Sequence, residues 1–148
     1  MTPLAERLAR PEVLALPPFD LGERWTDGLA DAVLLDANES PFAPFVEGPL
    51  AGGLNRYPEP QPTALRRAMA ALWGVDPEAL LVVRGGDDAI DLLTRTFCRP
   101  GIDAVSACPP TFAAYAWFAR LQGARVLETP LSDGFAFATD AVIDACRA

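Results

Sequence analysis

The stretch that decides the fold is LLVVRGGDDAIDLL, residues 80–93. It begins with four apolar residues, passes through the pair Gly85-Gly86 and continues into the acidic first turn of an amphipathic helix. A short run that is apolar on both faces is typical of a strand covered on both sides, as in a parallel sheet. The sequence therefore predicts a strand at Leu80–Val83, a glycine turn, and a helix from Asp87.

This strand-to-helix junction has the properties of a phosphate-binding turn. N–H groups at a helix N-terminus lack intrahelical partners, the helix dipole adds positive charge, and glycines let an anion approach the backbone. The turn is neither a G-x-G-x-x-G motif nor a P-loop. The alternative is an ordinary turn with Asp87 as N-cap and Asp88 beside the dipole. For a phosphate to bind here, the side chains of Asp87 and Asp88 must point away from it, so that only the backbone N–H groups of these residues face the anion.

The rest of the chain after residue 60 alternates helices and strands. A helix from Pro62 places Leu65, Met69 and Leu72 on one face and ends at Gly74, and Asp76-Pro77 starts a single turn as N-cap and N1. Downstream we expect a strand at 103–108, a helix at 111–122 stopped by Gly123, a strand at 124–131 and a helix at 139–148. This order predicts an α/β domain with a parallel sheet.

The first 60 residues differ in composition, because most of the fifteen prolines fall there. Proline fixes φ and keeps the preceding residue extended, so we expect an extended N-terminal arm with one short strand at Ala32–Asp36. The predicted organisation is an arm at 1–60 and the first part of an α/β domain at 61–148. Three strands would leave an apolar sheet edge, so we expect a larger fold or a partner that completes the sheet.

Charge and composition exclude several classes of function. The net charge is -8, and every cationic side chain is an arginine. Nucleic acids and anionic membranes need clustered cations, so neither is an expected partner. Without histidine and without a C-x-x-C pair, the three cysteines predict no metal site. The N-terminus has neither a signal peptide nor a membrane span, and we expect a cytoplasmic protein.

A second loop, Cys108-Pro109-Pro110-Thr111-Phe112, follows the next predicted strand. Ligands of open α/β sheets collect at the carboxyl ends of the strands. Phe112 is either a core aromatic or a flat surface for a planar heteroaromatic ring. One loop suited to phosphate and one suited to an aromatic ring together favour a ligand whose ring bears a phosphate.

Several motifs occur in the order found in one known family: LDANESP at 35–41, NRYPEPQP at 55–62, RGGDDAIDLL at 84–93, FCRPG at 97–101 and CPPTF at 108–112. In these residues the chain resembles the N-terminal portion of the histidinol-phosphate aminotransferases. These are fold-type I enzymes that use pyridoxal 5'-phosphate. The resemblance implies a partial three-layer sandwich with a mostly parallel sheet, the large domain of such enzymes, preceded by the Pro-rich arm. It also implies a homodimer.

The resemblance assigns roles to particular residues. The backbone at Gly86, Asp87 and Asp88 would grip the cofactor phosphate, and Phe112 would stack on the pyridine ring where the family usually has tyrosine. Tyr57 would reach the phosphate of the other subunit, and Asn38 would line the substrate pocket. The corresponding alternatives are a packed arm tyrosine and a turn asparagine.

The reaction implied is amino transfer between histidinol phosphate and 2-oxoglutarate, which yields glutamate, in histidine biosynthesis. The Schiff-base lysine and the other catalytic residues of the family have no counterpart here, since the 148 residues contain no lysine. We therefore expect no catalytic residue in this chain and an inactive protein when it is alone. Alternatives are a threonine-phosphate decarboxylase or another fold-type I aminotransferase, and a non-catalytic α/β module that binds a phosphorylated ligand.

Overall fold

The computed structural model describes residues 3–17, 33, 35, 37–42 and 53–147. These residues form helices α1 (Leu4–Leu8), α2 (Pro11–Leu14), α3 (Thr63–Trp73), α4 (Gly86–Phe97), α5 (Ala114–Gln122) and α6 (Thr139–Arg147), strands β1 (Ala104–Ala107) and β2 (Arg125–Glu128), and 3₁₀ turns at Pro77–Ala79 and Asp133–Phe135. They fall into two compact units. The first unit comprises Met1–Pro18 and Val83–Ala148, and the second comprises Phe19–Val82.

The first unit is built on a parallel strand pair. Strands β1 and β2 pair in parallel, with Ala104 opposite Arg125 and Ala107 opposite Glu128. Helix α5 connects the two strands and packs against both of them, while α4 packs on α5 and α6 contacts β1. This is a strand-helix-strand crossover of the kind that parallel pairing requires. The prediction of an α/β fold with a parallel sheet is confirmed.

Small side chains form the centre of this unit. The buried residues there are Thr94, Ala107, Ala119 and Ala124, and Ala119 is fully inaccessible to solvent. Alanine at this buried position of α5 lets the helix approach its neighbours closely, which gives dense packing without large side chains. Positions such as Ala119 therefore have no room for a larger residue.

Hydrogen bonds from Arg10 hold the segment of α1 and α2 against the end of α4. The N–H of Arg10 donates to the carbonyl of Thr96 at 2.9 Å, and Arg10 Nη1 donates to the carbonyl of Arg95 at 2.9 Å. Thr96 and Arg95 lie in the last turn of α4, where carbonyl groups lack intrahelical partners. Arg10 thus satisfies acceptors at the helix end and holds the N-terminal segment there. The predicted domain boundary at residue 60 stays a prediction.

The second unit contains the predicted helix and single turn. Helix α3 ends at Gly74, which adopts a left-handed conformation with φ 65°. The carboxylate of Asp76 accepts a hydrogen bond from the N–H of Glu78 and caps the turn that starts at Pro77. Arg66 then donates to the carbonyl of Pro77 through Nε and Nη2. The predictions for Gly74, Asp76 and Pro77 are confirmed.

The predicted strand Leu80–Val83 is wrong, because the segment is assigned to no strand. The side-chain amide of Gln61 occupies both hydrogen-bonding groups of Val82: its oxygen accepts from the N–H at 2.8 Å and its nitrogen donates to the carbonyl at 3.0 Å. A strand requires a ladder with a neighbouring backbone, and the described residues supply only this amide. The predicted strand Ala32–Asp36 lies outside the described residues except for Val33 and Leu35, which are in no strand.

The downstream elements are confirmed with shorter bounds. Helix α5 begins at Ala114 rather than 111 and ends before Gly123, the two strands have four residues each, and α6 extends to Arg147. Residue 148, the predicted end of the last helix, lies outside the described residues. Among the helices that the structure describes, none has the length and apolar character needed to cross a bilayer.

Candidate functional site

The turn that precedes α4 is shaped by a glycine that no other residue could replace without strain. Gly85 is the N-cap of α4 and has φ 99° and ψ 177°. This region of backbone space is essentially restricted to glycine. The interpretation of Asp87 as N-cap is wrong, since Asp87 lies inside the first turn of the helix. With glycine as the cap, no side chain in the described ranges makes a capping hydrogen bond to the N–H groups of the first turn.

The amides of this first turn are available to a ligand. The carbonyl of Gly85 accepts the first bond, from the N–H of Ala89 at 3.3 Å. Within the described part of the chain, the N–H groups of Gly86, Asp87 and Asp88 have no hydrogen-bond partner. Three unpartnered amides at the positive end of a helix dipole form an anion-binding arrangement.

The carboxylate of Asp88 is directed back toward the preceding loop. It accepts a hydrogen bond from the N–H of Arg84 at 3.0 Å and another from Arg84 Nη2 at 3.3 Å. The bond from the Arg84 N–H, and next the bond from its side chain, lower the pKa of Asp88. The charge of Asp88 is therefore matched by Arg84, and Asp87, which is exposed, is the carboxylate that would oppose an anion at this turn.

Phe112 is a surface residue and does not belong to the core of the first unit. It is 57% exposed and lies in the loop between β1 and α5. Its ring meets the ring of Tyr115 edge to face, with the centroids 6.0 Å apart. This contact orients the Phe112 ring and leaves much of its area open to solvent. The alternative that Phe112 is a buried core aromatic does not hold for this structure.

The remaining predicted site residues belong to the second unit. Asn38 is exposed and adopts a left-handed conformation with φ 51°, which asparagine tolerates better than most residues. Tyr57 is exposed, and its N–H donates to the carboxylate of Glu39 at 2.7 Å. Arg56 Nη1 donates to the other oxygen of the same carboxylate at 2.9 Å. The segments that contain Asn38 and Tyr57 are thereby joined side by side.

A cavity of about 590 Å³ lies elsewhere in the first unit, between the N-terminal helices and the start of β1. Its lining includes Arg7, Arg10, Cys98 and Arg99, and it includes none of the predicted site residues. Arg10 is used to hold the N-terminal segment on α4, and Arg99 forms an ion pair with Asp103 at 2.8 Å. The arginines with these partners have structural roles, and we do not assign the candidate site to this cavity.

Sequence reasoning missed three residues that contact predicted site residues within their own unit: Arg84, Glu39 and Tyr115. Arg84 and Asp88 carry opposite charges four residues apart, and this spacing could have predicted their ion pair. Glu39 and Arg56 carry opposite charges in two separate motifs, but nothing in the sequence places these motifs together. Tyr115 lies three residues after Phe112, and the two rings meet because the chain turns there, with the N–H of Tyr115 donating to the carbonyl of Phe112 at 3.4 Å.

Comparison with known proteins identifies the family of the chain. The family model for aminotransferases of class I and II matches residues 31–148. The chain belongs to the class I and II aminotransferase family. The match includes the turn at Gly85-Gly86, Phe112, and the joined segments of the second unit.

Individual members of this aminotransferase family are also similar. The chain is 46% identical over 143 residues to the histidinol-phosphate aminotransferase of Stenotrophomonas maltophilia (strain R551-3), which covers 95% of this chain and 38% of that protein. It is 47% identical over 127 residues to the histidinol-phosphate aminotransferase of Aeromonas hydrophila subsp. hydrophila, which covers 84% of this chain and 34% of that protein. The enzyme of the same name from Pseudoalteromonas atlantica is 42% identical over 142 residues, and this match covers 94% of the present chain and 38% of that protein. The chain thus spans well under half the length of these curated relatives.

Proposed function

We propose that this chain is the N-terminal portion of a pyridoxal-phosphate-dependent aminotransferase that acts on histidinol phosphate and 2-oxoglutarate in histidine biosynthesis. The observation that carries the proposal is the set of three unpartnered N–H groups at Gly86, Asp87 and Asp88, in a segment that matches the aminotransferase family. The names of the relatives support this substrate over threonine phosphate and over a non-catalytic module.

The residues present fit the phosphate of pyridoxal 5'-phosphate. The N–H groups of Gly86, Asp87 and Asp88 would receive the phosphate oxygens, and the absence of a side chain on Gly85 and Gly86 lets the anion approach the backbone. The exposed face of Phe112 would stack on the pyridine ring and orient it. When bound, the cofactor supplies an electron sink for carbanion chemistry. Because Phe112 has no hydroxyl group, it would contribute only stacking.

Other residues would bind substrate and complete a dimer. Asn38 would line the substrate pocket, and Tyr57 would contact the cofactor phosphate of the other subunit of a homodimer. The exposed apolar side chains of the first unit, such as Leu93, Trp117 and Leu121, support the presence of further protein against it. We also propose that the protein acts in the cytoplasm.

The covalent chemistry would come from outside these 148 residues. A lysine amine is needed to attach the cofactor, and the chain contains none. We therefore propose that the chain alone is inactive. Reduction of a mixture of the chain and pyridoxal phosphate with borohydride should leave no cofactor attached to an internal side chain. Stable attachment to an internal residue would contradict this proposal.

The function is tested with the complete polypeptide that the gene encodes. Its sequence is read beyond codon 148, and the purified protein is assayed with histidinol phosphate, threonine phosphate and aromatic amino acids. We expect transfer of the amino group from histidinol phosphate to 2-oxoglutarate. Preference for another amino donor, or release of carbon dioxide from threonine phosphate, would refute the substrate assignment. Absence of any bound cofactor would refute the whole proposal.

A pair of variants at Gly86 tests the phosphate turn itself. Gly86 is the first helical residue, where proline is well accommodated, and an added Cβ would meet no described atom within 4 Å outside its chain neighbours and the backbone of α4. Gly86→Pro removes one N–H donor, whereas Gly86→Ala adds a side-chain carbon and keeps the donor. In the complete polypeptide we expect Gly86→Pro to weaken pyridoxal phosphate binding about tenfold, the effect of losing one hydrogen bond to a charged group. An equal loss in both variants would show that this N–H does not bind the phosphate.

A further inference from the structure

The carboxylate of Glu39 is buried in a segment that is otherwise open to solvent. Its side chain is 3% exposed, while the neighbouring residues Asn38 and Ser40 are exposed. Burial of a carboxylate is unfavourable unless hydrogen bonds and an opposite charge compensate for the lost hydration. The position of Glu39 therefore indicates a specific set of partners.

Those partners come from a segment seventeen and eighteen residues away in the chain. One carboxylate oxygen of Glu39 accepts from the backbone N–H of Tyr57 at 2.7 Å, and the other accepts from Arg56 Nη1 at 2.9 Å. Both bonds involve an ionised group and are stronger than bonds between neutral groups. Beside them, Asn55 Nδ2 donates to the carbonyl of Ser40 at 2.8 Å. Three hydrogen bonds thus join residues 39–40 to residues 55–57.

The consequence for Tyr57 is a fixed backbone and an exposed ring. The hydrogen bond that the N–H of Tyr57 donates to Glu39 restrains the main chain of Tyr57, while the residue as a whole is 61% exposed. A side chain that contacts a ligand held by another molecule loses less entropy on binding if its backbone is already in place. We infer that Glu39 is a positioning residue that fixes Tyr57 for contact with the cofactor phosphate. This inference rests on the function proposed above.

A double-mutant cycle on the complete polypeptide tests this inference. The affinity of the apoprotein for pyridoxal phosphate is measured for the wild type, Glu39→Gln, Tyr57→Phe and the double variant. Glutamine has nearly the same shape but turns an NH₂ group or a neutral oxygen toward Arg56. We expect Glu39→Gln to weaken binding about tenfold, the effect of one charge-assisted hydrogen bond, and to have almost no effect in the Tyr57→Phe background.

The control is Glu78→Gln, which removes another glutamate that pairs with an arginine in the same unit. Glu78 pairs with Arg66 at 3.1 Å, but its side chain is 83% exposed. An exposed ion pair contributes little to stability, so Glu78→Gln should leave the affinity for pyridoxal phosphate unchanged. If Glu39→Gln does not fold, Arg56→Gln removes the charge of the same pair from its more exposed side, and it should show the same coupling to Tyr57→Phe.

The outcomes separate this inference from the proposed function. Unchanged affinity in Glu39→Gln, or an equal loss with and without the Tyr57 hydroxyl, would overturn the positioning role and leave a purely structural one. If the wild type binds no pyridoxal phosphate, the proposed function fails and the inference fails with it. If the wild type binds the cofactor and the cycle shows no coupling, only the role of Glu39 is refuted.

Discussion

Replacing Gly85 with alanine should destabilise the protein through backbone strain alone. Gly85 has φ 99° and ψ 177°, and a Cβ at this position would meet no atom within 4 Å among the described residues other than its chain neighbours. No steric clash therefore contributes, and the cost is that of holding a residue with a Cβ in a region that is open essentially only to glycine. That cost is about 1–3 kcal/mol. Alanine also reduces the conformational entropy of the unfolded chain, which stabilises the folded state by roughly 0.4–1 kcal/mol. We therefore expect the free energy of unfolding to fall by about 1–2 kcal/mol in total.

The assay is equilibrium unfolding in urea, followed by circular dichroism. For a small protein the free energy of unfolding falls by ~1–3 kcal/mol per molar urea, so the midpoint for Gly85→Ala should drop by roughly 1 M. The matched control is Gly86→Ala, one residue later. Gly86 also has open space around it, but it is the first residue of α4 and its φ is not positive.

Gly85→Ala should therefore lower the free energy of unfolding, whereas Gly86→Ala should not. Alanine favours helix over glycine by up to ~1 kcal/mol, so Gly86→Ala should leave stability unchanged or raise it slightly. If Gly85→Ala unfolds at the same urea concentration as the wild type, the backbone conformation of Gly85 is not what requires glycine. If both variants lose stability equally, the cause is the presence of a side chain at this turn and not its φ angle.

Three further predictions concern packing, pH and charge. Ala119→Leu places a larger side chain at a fully buried site and should cost about 1–3 kcal/mol, whereas Ala71→Leu on an exposed position of α3 should cost little; urea unfolding measures both. The Arg99 guanidinium, and next the Arg99 N–H, lower the pKa of Asp103 from 3.8 to about 2. The stabilisation by Asp103 should therefore be complete above pH 3.8 and disappear as the pH falls through about 2, and Asp103→Asn should make acid unfolding less steep in that window. Asp87→Asn should strengthen phosphate binding by the complete polypeptide a few-fold in low salt, measured by titration, and the gain should shrink in high salt; weaker binding would contradict our description of the turn.

Much of the local structure could be predicted from short-range patterns. Helix α3 ends where Gly74 stands because glycine accepts the left-handed conformation of a helix stop, and Pro77 starts its turn because a fixed φ suits the first position. The alternation of strands and helices after residue 100 likewise predicted the parallel pairing of β1 with β2. These features depend on a few neighbouring residues, whose preferences can be read in order along the chain.

Tertiary structure decided which groups meet across long distances in sequence. An apolar run at 80–83 cannot form a strand without a neighbouring backbone, and the side chain of Gln61 occupies the groups of Val82 instead. Nothing in the local pattern brings Glu39 to Tyr57, because their bond depends on how the chain folds between them. The exposure of Phe112 likewise depends on how the loop between β1 and α5 lies on the first unit. By itself, then, the sequence determined most of the helices and the parallel strand pair, because these follow from preferences of neighbouring residues. The fold determined which polar groups are satisfied, because that depends on contacts between residues far apart in the chain.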